Sequence, residues 1–432
     1  MSAPQLGLLG RRRFLPLFAT QFLGAFNDNL YRSALIFLAS FHLYKGDPDR
    51  AAMMAVIAGG IFILPYFLFS SIAGQLADRI DKARIARLVK LAEIVIMLVG
   101  VLALDLGSMP LLMSVLFAMG VHSTIFGPIK YSMLPQHLGK EELMGGTGLV
   151  EAGTFLAILL GQIAGGLLST AEAAVAVLAA AVLGLVSSLF IPPAPPEAER
   201  PKVELNLFHS TTAIIGHSWR NRSLFLVIVG ISWFFSIGAV LTQQFAPLVG
   251  RLNGMPSVGA LFFGLFSVGV AMGAMAIGRL QGGAISARYV PAAATALALA
   301  VIDLGFTIHG LVPAPVAVGI RGFLAREGSW HLVADLLAIA IAGGMFIVPL
   351  YALLQTLGEP ASRSRDVAAN NIVNAVGMVL VSALVAFLLW ADVTDIALFG
   401  ALGAMGLATA LLMCALPPDS RVRTVLRRAW VR

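Results

Sequence analysis

Gln21-Phe22-Leu23-Gly24-Ala25-Phe26-Asn27-Asp28-Asn29-Leu30-Tyr31-Arg32 sits inside an apolar run from Phe14 to Phe41. That run is long enough to cross a bilayer, and Asp28 falls about 21 Å along it, near the middle of a hydrocarbon core of about 30 Å. Ionised groups at such depth are costly and face a polar interior or a water-filled path. Asp28 and Arg32 are four residues apart, so they share a helix face and can partly neutralise each other. Asn27 and Asn29 add hydrogen-bonding groups on either side of the acid. The pattern points to a substrate or gating site on a membrane-spanning helix. The plainer reading is a charge pair that holds helices together.

The whole chain agrees with a membrane origin for this stretch. Hydrophobic residues make up 59% of the 432 and charged residues 12%, less than half the charged fraction of about 25% usual in soluble domains. Cys414 is alone and cannot form an internal disulfide; no Cys/His cluster suggests a metal, and no cofactor is expected. The net charge of +7 does not argue for nucleic acid, because the basic residues are scattered beside apolar segments rather than gathered in a stripe. Arg11, Arg12 and Arg13 before an apolar run imitate a secretory signal. The run is too long for one and carries Asn-Asp-Asn at its centre, so it reads as a retained first span.

Apolar segments recur at 14–41, 51–73, 85–105, 110–130, 143–168 and 172–191, and again at 222–248, 257–280, 290–312, 332–358, 366–391 and 393–416. The expected fold is all-α and integral to the membrane, with twelve transmembrane helices in two six-helix halves. The halves are 1–191 and 222–432, the second with a short basic tail, joined by a cytoplasmic linker at 192–221. Pro192, Pro193, Pro195, Pro196 and Pro201 with Glu197, Glu199, Arg200, Lys202 and Glu204 make that linker polar and semi-rigid. Its second part, through Phe208 and Trp219, suits a short interfacial helix. With both termini cytoplasmic, twenty-two Lys and Arg fall inside and only Lys45, Arg50, Arg251, Arg321 and Arg326 outside. The five tail arginines, Arg421, Arg423, Arg427, Arg428 and Arg432, belong to the inside set. Weak internal repetition pairs Leu149-Val150-Glu151-Ala152 with Ile372-Val373-Asn374-Ala375, and Gly74, Leu76 and Arg84 with Gly278, Leu280 and Arg288.

Between the second and third spans lies Gly74-Gln75-Leu76-Ala77-Asp78-Arg79-Ile80-Asp81-Lys82-Ala83-Arg84. Gly74 allows close helix approach, Asp78 can cap or pair with a neighbouring helix end, and the arginines anchor to the surface. This resembles the loop signature of the major facilitator superfamily, Gly-x-Leu-Ala-Asp-Arg-x-Gly-Arg-Lys, departing from it at Asp81 and Lys82. The resemblance implies the major facilitator fold and a gating role for Gly74, Asp78, Arg79 and Arg84.

Phe18 to Leu30 resembles the first span of the lysophospholipid transporter family within that superfamily. Phe126-Gly127-Pro128-Ile129-Lys130-Tyr131-Ser132-x-Leu134-Pro135 resembles its fourth span, and Gly148 to Thr154 its fifth. The second half carries the likeness mainly through Asn370-Asn371. What this resemblance implies is a secondary transporter and flippase, multi-pass in the bacterial inner membrane. It would move lysophospholipids such as lysophosphatidylethanolamine from the outer to the inner leaflet by alternating access, where a separate acyltransferase re-acylates them. Proton-coupled efflux of amphipathic drugs or metabolites is the alternative.

The expected substrate-binding residues are Asn27, Asp28, Asn29, Arg32, Lys130, Glu151, Asn370 and Asn374. Arg32 or Lys130 would meet a phosphate, and Asp28 or Glu151 an ammonium or hydroxyl. Glu151 falls about 12 Å into its span, whereas Lys130 is expected at the end of the fourth. Phe234, Phe235, Phe262, Phe263, Phe266 and Met272 would face an acyl chain. Lys90 and Glu93 read as a helix-stabilising pair, and Asp303 and Asp335 as solvated or paired carboxylates. No enzyme is expected. There is no Gly-x4-Gly-Lys phosphate loop, and the His42-x4-Asp47 spacing of glycerolipid acyltransferases occurs without the accompanying substrate-binding blocks.

Overall fold

The computed structural model describes residues 6–44, 47–197 and 203–416. Lys45, Glu199, Arg200, Pro201, Lys202 and the five tail arginines lie outside the described residues. Among the described residues there are twelve long helices and, by way of strand, only the single bridge pair Gly254 and Val318. The first six are α1 (Leu15–Leu38), α2 (Pro48–Arg79), α3 (Lys82–Leu106), α4 (Met109–His137), α5 (Lys140–Leu167) and α6 (Thr170–Leu189). The second six are α7 (Arg222–Arg251), α8 (Pro256–Leu280), α9 (Val290–Gly310), α10 (Ser329–Leu357), α11 (Arg363–Trp390) and α12 (Asp395–Met413).

Each helix overlaps one expected apolar segment. The largest departures are at α2 and α4, which continue through charged and proline residues to Arg79 and His137. Lys130 therefore lies seven residues before the last residue of α4, about 10 Å inside the helix rather than at its end. Pro128 and Pro135 sit within α4 and Pro349 within α10, as neighbouring helices allow in membrane bundles.

Ten of the twelve helices are long and apolar enough to cross a membrane; α1 and α3 are the two that fall short, and both carry mid-helix charges. Outward-facing side chains such as Val56 (77% exposed), Leu167 (79%) and Leu411 (75%) are apolar. In water such a surface would be a liability; in a bilayer it is solvated by lipid.

Local sequence sets the helix starts. Asp47, Asp81, Ser169, Asn221 and Thr394 each accept a hydrogen bond from a backbone N–H in the first turn that follows, at α2, α3, α6, α7 and α12. This leaves Asp47 occupied as a cap, bonded to the Arg50 N–H at 3.0 Å, while His42 sits beside the Phe37 ring. The acyltransferase-like spacing thus has a structural explanation. Asp81, where the loop departs from the superfamily pattern, caps α3 and also accepts a hydrogen bond from the Ala194 N–H at 3.0 Å. It ties the proline-rich linker to the start of α3. The linker's second part forms a helix, Leu207–Arg220, which buries Ser210, Ile214 and Ser218 and exposes Phe208 and Trp219.

The chain divides into two compact units. One takes in the chain up to Glu142 together with Gly153–Arg220 and Gly358–Ala375. The other holds Leu143–Ala152, Asn221–Leu357 and the chain from Val376. In the first unit, Gly161 and Gly165 of α5 lie directly against α1: a β-carbon at either would come within 2.4 Å of the Phe26 carbonyl oxygen or 2.5 Å of that of Leu30. This small-residue contact fixes the stretch that carries Asn27 and Asp28. In the second unit, Phe245 packs edge to face on Phe262, Phe263 and Phe266, and Trp233 on Phe346.

Substituting Gly161→Val should therefore overpack α1 against α5 and cost about 1–3 kcal/mol. Gly166→Val, where a β-carbon meets nothing within 4 Å, should be neutral. Thermal unfolding in detergent measures both, and equal stability of the two variants would contradict this packing.

Candidate functional site

The first unit buries a polar cluster contributed by α1, α3 and α4. Glu93 of α3 is 2% exposed and stands at its centre. Lys90, one turn earlier and fully buried, places its Nζ 2.6 Å from Glu93 Oε2. The Asn27 amide of α1 donates to Glu93 Oε1 at 2.8 Å, and His122 Nε2 of α4 lies 3.4 Å from Oε2. Gly24 of α1 makes room for the lysine: a β-carbon there would come within 2.6 Å of Nζ. Lys90 Nζ also lies 5.4 Å from the centre of the Phe126 ring.

A second group adjoins the first through His122, whose Nδ1 is 3.4 Å from Ser123 Oγ. Ser123 donates to Asp28 Oδ2 at 2.5 Å, while Asp28 Oδ1 has no hydrogen-bond partner. Arg32 donates from Nη2 to Asn29 Oδ1 at 3.1 Å and lies 6.0 Å from the centre of the Phe62 ring. Asn29 donates its amide to the Ala25 carbonyl at 2.8 Å. Asp28 and Arg32 form no ion pair, contrary to what their spacing suggests: each is held instead by a neutral neighbour. Both are half-buried, whereas Asn27 is wholly enclosed.

The expected site residues thus separate. Asn27 and Asp28 join the cluster, and Asn29 and Arg32 form a pair beside it. Lys130 is half-buried with its Nζ 4.7 Å from the Tyr131 ring centre. Glu151, 1% exposed, belongs to the other unit. Asn370 is fully buried with neither side-chain polar atom hydrogen-bonded, and Asn371 and Asn374 are nearly buried. Four contributors are not among the site residues expected from the sequence. Lys90 and Glu93 were recognised only as a pair within one helix, and His122 and Ser123 carried no signal beyond being polar inside an apolar span. Of the apolar residues expected to face an acyl chain, Phe234, Phe262 and Phe266 are buried. Phe235 and Phe263 are half-buried, and Met272 is exposed.

At the end of α2, Asp78 is 5% exposed and reaches the start of α11. Its Oδ1 accepts from the Ser364 N–H at 3.0 Å and its Oδ2 from Arg365 Nε at 3.1 Å. A carboxylate is favourable there, beside the positive end of a helix. Gly74 permits the approach, since a β-carbon would lie 2.9 Å from the Ser364 carbonyl oxygen. Arg79 and Arg84 are exposed.

Among the described residues, Asp303, His331 and Asp335 bring three potential metal-ligand atoms within 4.8 Å of one another. His331 Nε2 lies 3.0 Å from Asp303 and 3.7 Å from Asp335, and Thr307 donates to Asp335 at 2.6 Å. The histidine therefore lies between the two acids, within hydrogen-bond distance of Asp303.

Twelve long helices, ten of them long and apolar enough to cross a membrane, define a multi-pass membrane fold. The family model of the Major Facilitator Superfamily matches residues 17–325, and the chain belongs to that superfamily. It is similar to the lysophospholipid transporter LplT of Photorhabdus laumondii, 29% identical over 353 residues, with 79% of each chain covered. Against LplT of Serratia proteamaculans the identity is 28% over 359 residues, 81% of each chain. Among solved structures, the human organic anion transporter MFSD10 superposes with a TM-score of 0.74 at 15% identity, covering 93% of this chain and 99% of that one. The proton:xylose symporter XylE gives 0.66 at 14%, covering 94% and 96%. These two share the fold.

Breaking one side of the buried pair should be costly. Lys90→Leu or Glu93→Leu alone leaves an uncompensated charge and should cost about 3–5 kcal/mol, whereas the double variant should recover much of that. Detergent melting of the three variants checks it; a double variant that loses the sum of the two would contradict the pairing.

Proposed function

We propose that this protein moves lysophospholipids from the outer to the inner leaflet of the bacterial inner membrane by alternating access. The observation that carries the reading is the pair of half-buried, unpaired charges, Asp28 and Arg32, at the mid-depth of α1. A lysophospholipid such as lysophosphatidylethanolamine offers a phosphate and an ammonium, one for each. Arg32 is suited to the phosphate through its planar set of donors, and Asp28 to the ammonium through its unpartnered Oδ1. The similarity to proteins named lysophospholipid transporters supports the same substrate class.

In this reading Lys130, Glu151, Asn370 and Asn374 take part later on the substrate's path, with Phe235 and Phe263 available to the acyl chain. The contact of Asp78 with the start of α11 serves as a gate latch, aided by Gly74, Arg79 and Arg84 at the surface. The excess of Lys and Arg on one side of the spans supports a cytoplasmic position for both termini. The protein would transport rather than catalyse. Its product, a lyso-lipid in the inner leaflet, suits a separate acyltransferase.

Reconstitution with fluorescent lysophosphatidylethanolamine tests this directly. Wild type should carry the lipid inward, and Asp28→Ala should reduce the rate at least tenfold with unchanged yield and melting temperature. Wild-type rates in Asp28→Ala would remove Asp28 from the site. No lipid movement by wild type, with amphiphile efflux driven by a proton gradient, would overturn the function.

A further inference from the structure

A cavity of about 410 Å³ opens where the start of α1, the second turn of α3 and the end of α6 meet. Its lining combines Arg12, Arg13 and Arg87 with Leu189, Phe190 and Ile191. None of these residues belongs to the Asp28 cluster or to the loop around Asp78.

Two of the three guanidiniums are partly engaged within the protein. Arg13 gives Nη2 to Glu142 at 2.6 Å and Nη1 to the His137 carbonyl at 3.2 Å. Arg87 gives Nη2 to the Ile191 carbonyl at 3.0 Å, but its Nε is buried without a hydrogen-bond partner. Arg12 is exposed and makes no ion pair among the described residues. Among the described residues Glu142 is the one acid that pairs with this group, and it is shared with Arg11 at 3.2 Å. The cavity therefore keeps an excess of positive charge and a buried donor with nothing to bind.

The apolar lining decides between classes of anion. Leu189 is 56% exposed and Phe190 58% exposed, at the very end of a helix that crosses the bilayer. A free phosphate would use the arginines and leave these side chains uncovered. A membrane phospholipid would use both, with its phosphate among the guanidiniums and its acyl chains along α6. Basic pockets of this kind at the cytoplasmic ends of spans favour anionic lipid head groups. We propose that this cavity binds the head group of an anionic glycerophospholipid of the surrounding bilayer, as a resident lipid distinct from the transported one. The cavity includes the start of the linker, Ile191 to Pro193, so the bound lipid would brace that segment against α3.

The test uses the intact purified protein in detergent, with its unfolding temperature followed against added phosphatidylglycerol, phosphatidylcholine or inorganic phosphate. Phosphatidylglycerol should raise it saturably, and the other two should not. Arg12→Gln with Arg87→Gln should weaken the phosphatidylglycerol response at least tenfold, and Arg321→Gln, exposed on the other unit, should leave it unchanged. Arg12→Gln alone, at an exposed position, should weaken it several-fold and guards against misfolding of the double variant. Equal responses to phosphatidylcholine, an equal response to inorganic phosphate, or an undiminished response in the Arg12→Gln variant would each overturn the proposal. Because the readout is stability, it stands or falls separately from lysophospholipid movement.

Discussion

Within the first unit, Glu93 has to find its compensation inside protein. Moving an ion of this kind out of water costs several kcal/mol even after the surroundings relax. Lys90, one turn away, meets Oε2 at 2.6 Å, and the Asn27 amide meets Oε1 at 2.8 Å. His122 approaches from a third helix. Because these groups come from α1, α3 and α4, the arrangement is satisfied only when the three helices are in register. A rotation of α1 by one residue would withdraw Asn27 and close the gap that Gly24 leaves for the lysine. The orientation of α1 follows, and with it the direction in which the next two positions on that helix point.

The second constraint lies at the end of α2. Asp78 holds both a backbone N–H and a guanidinium of α11's first turn. Hydrogen bonds to a charged partner are worth about 1.5–3 kcal/mol each, comparable with the few kcal/mol that separate conformations of a two-state protein. A contact of this size can hold one conformation and still be given up in exchange. The Glu93 cluster is of another kind. Its members are so deeply enclosed that opening it would strand charges, so it moves as a body with its helices.

The sequence makes the fold legible because helix length and apolar composition are local properties, and each of the twelve segments reports its own. The linker is legible for the same reason, in its run of prolines and charged residues, whereas the caps at Asp81 and Ser169 emerge only from the structure. The site was only partly legible. Asp28 announces itself as an acid at mid-depth, but its partner is set by packing, not spacing. The residue four positions on, Arg32, turns to Asn29, while Ser123, 95 residues away in sequence, supplies the hydrogen bond. Likewise Lys90 and Glu93 look like an ordinary pair within a helix until Asn27 and His122 arrive from elsewhere. Lys130 reads as the end of its span because about twenty residues, enough to cross a bilayer, precede it, yet α4 continues through Pro135. In each case the missing information is which helices are neighbours.

What this arrangement leaves on α1 bears on the chemistry of a zwitterion. Had Asp28 and Arg32 paired with each other, the site would present a closed salt bridge, and any head group would have to break it before binding. Instead Ser123 orients the carboxylate and Asn29 the guanidinium, each without cancelling a charge. The four formal charges of Lys90, Glu93, Asp28 and Arg32 sum to zero, so these four groups together add no net charge to the spans that hold them. One pair neutralises itself in the core, and the other stays separated and half-buried, with Asp28 Oδ1 enclosed and unpartnered. A ligand bearing both signs can satisfy that second pair without leaving either side unmatched, whereas a simple anion or cation would satisfy only half of it.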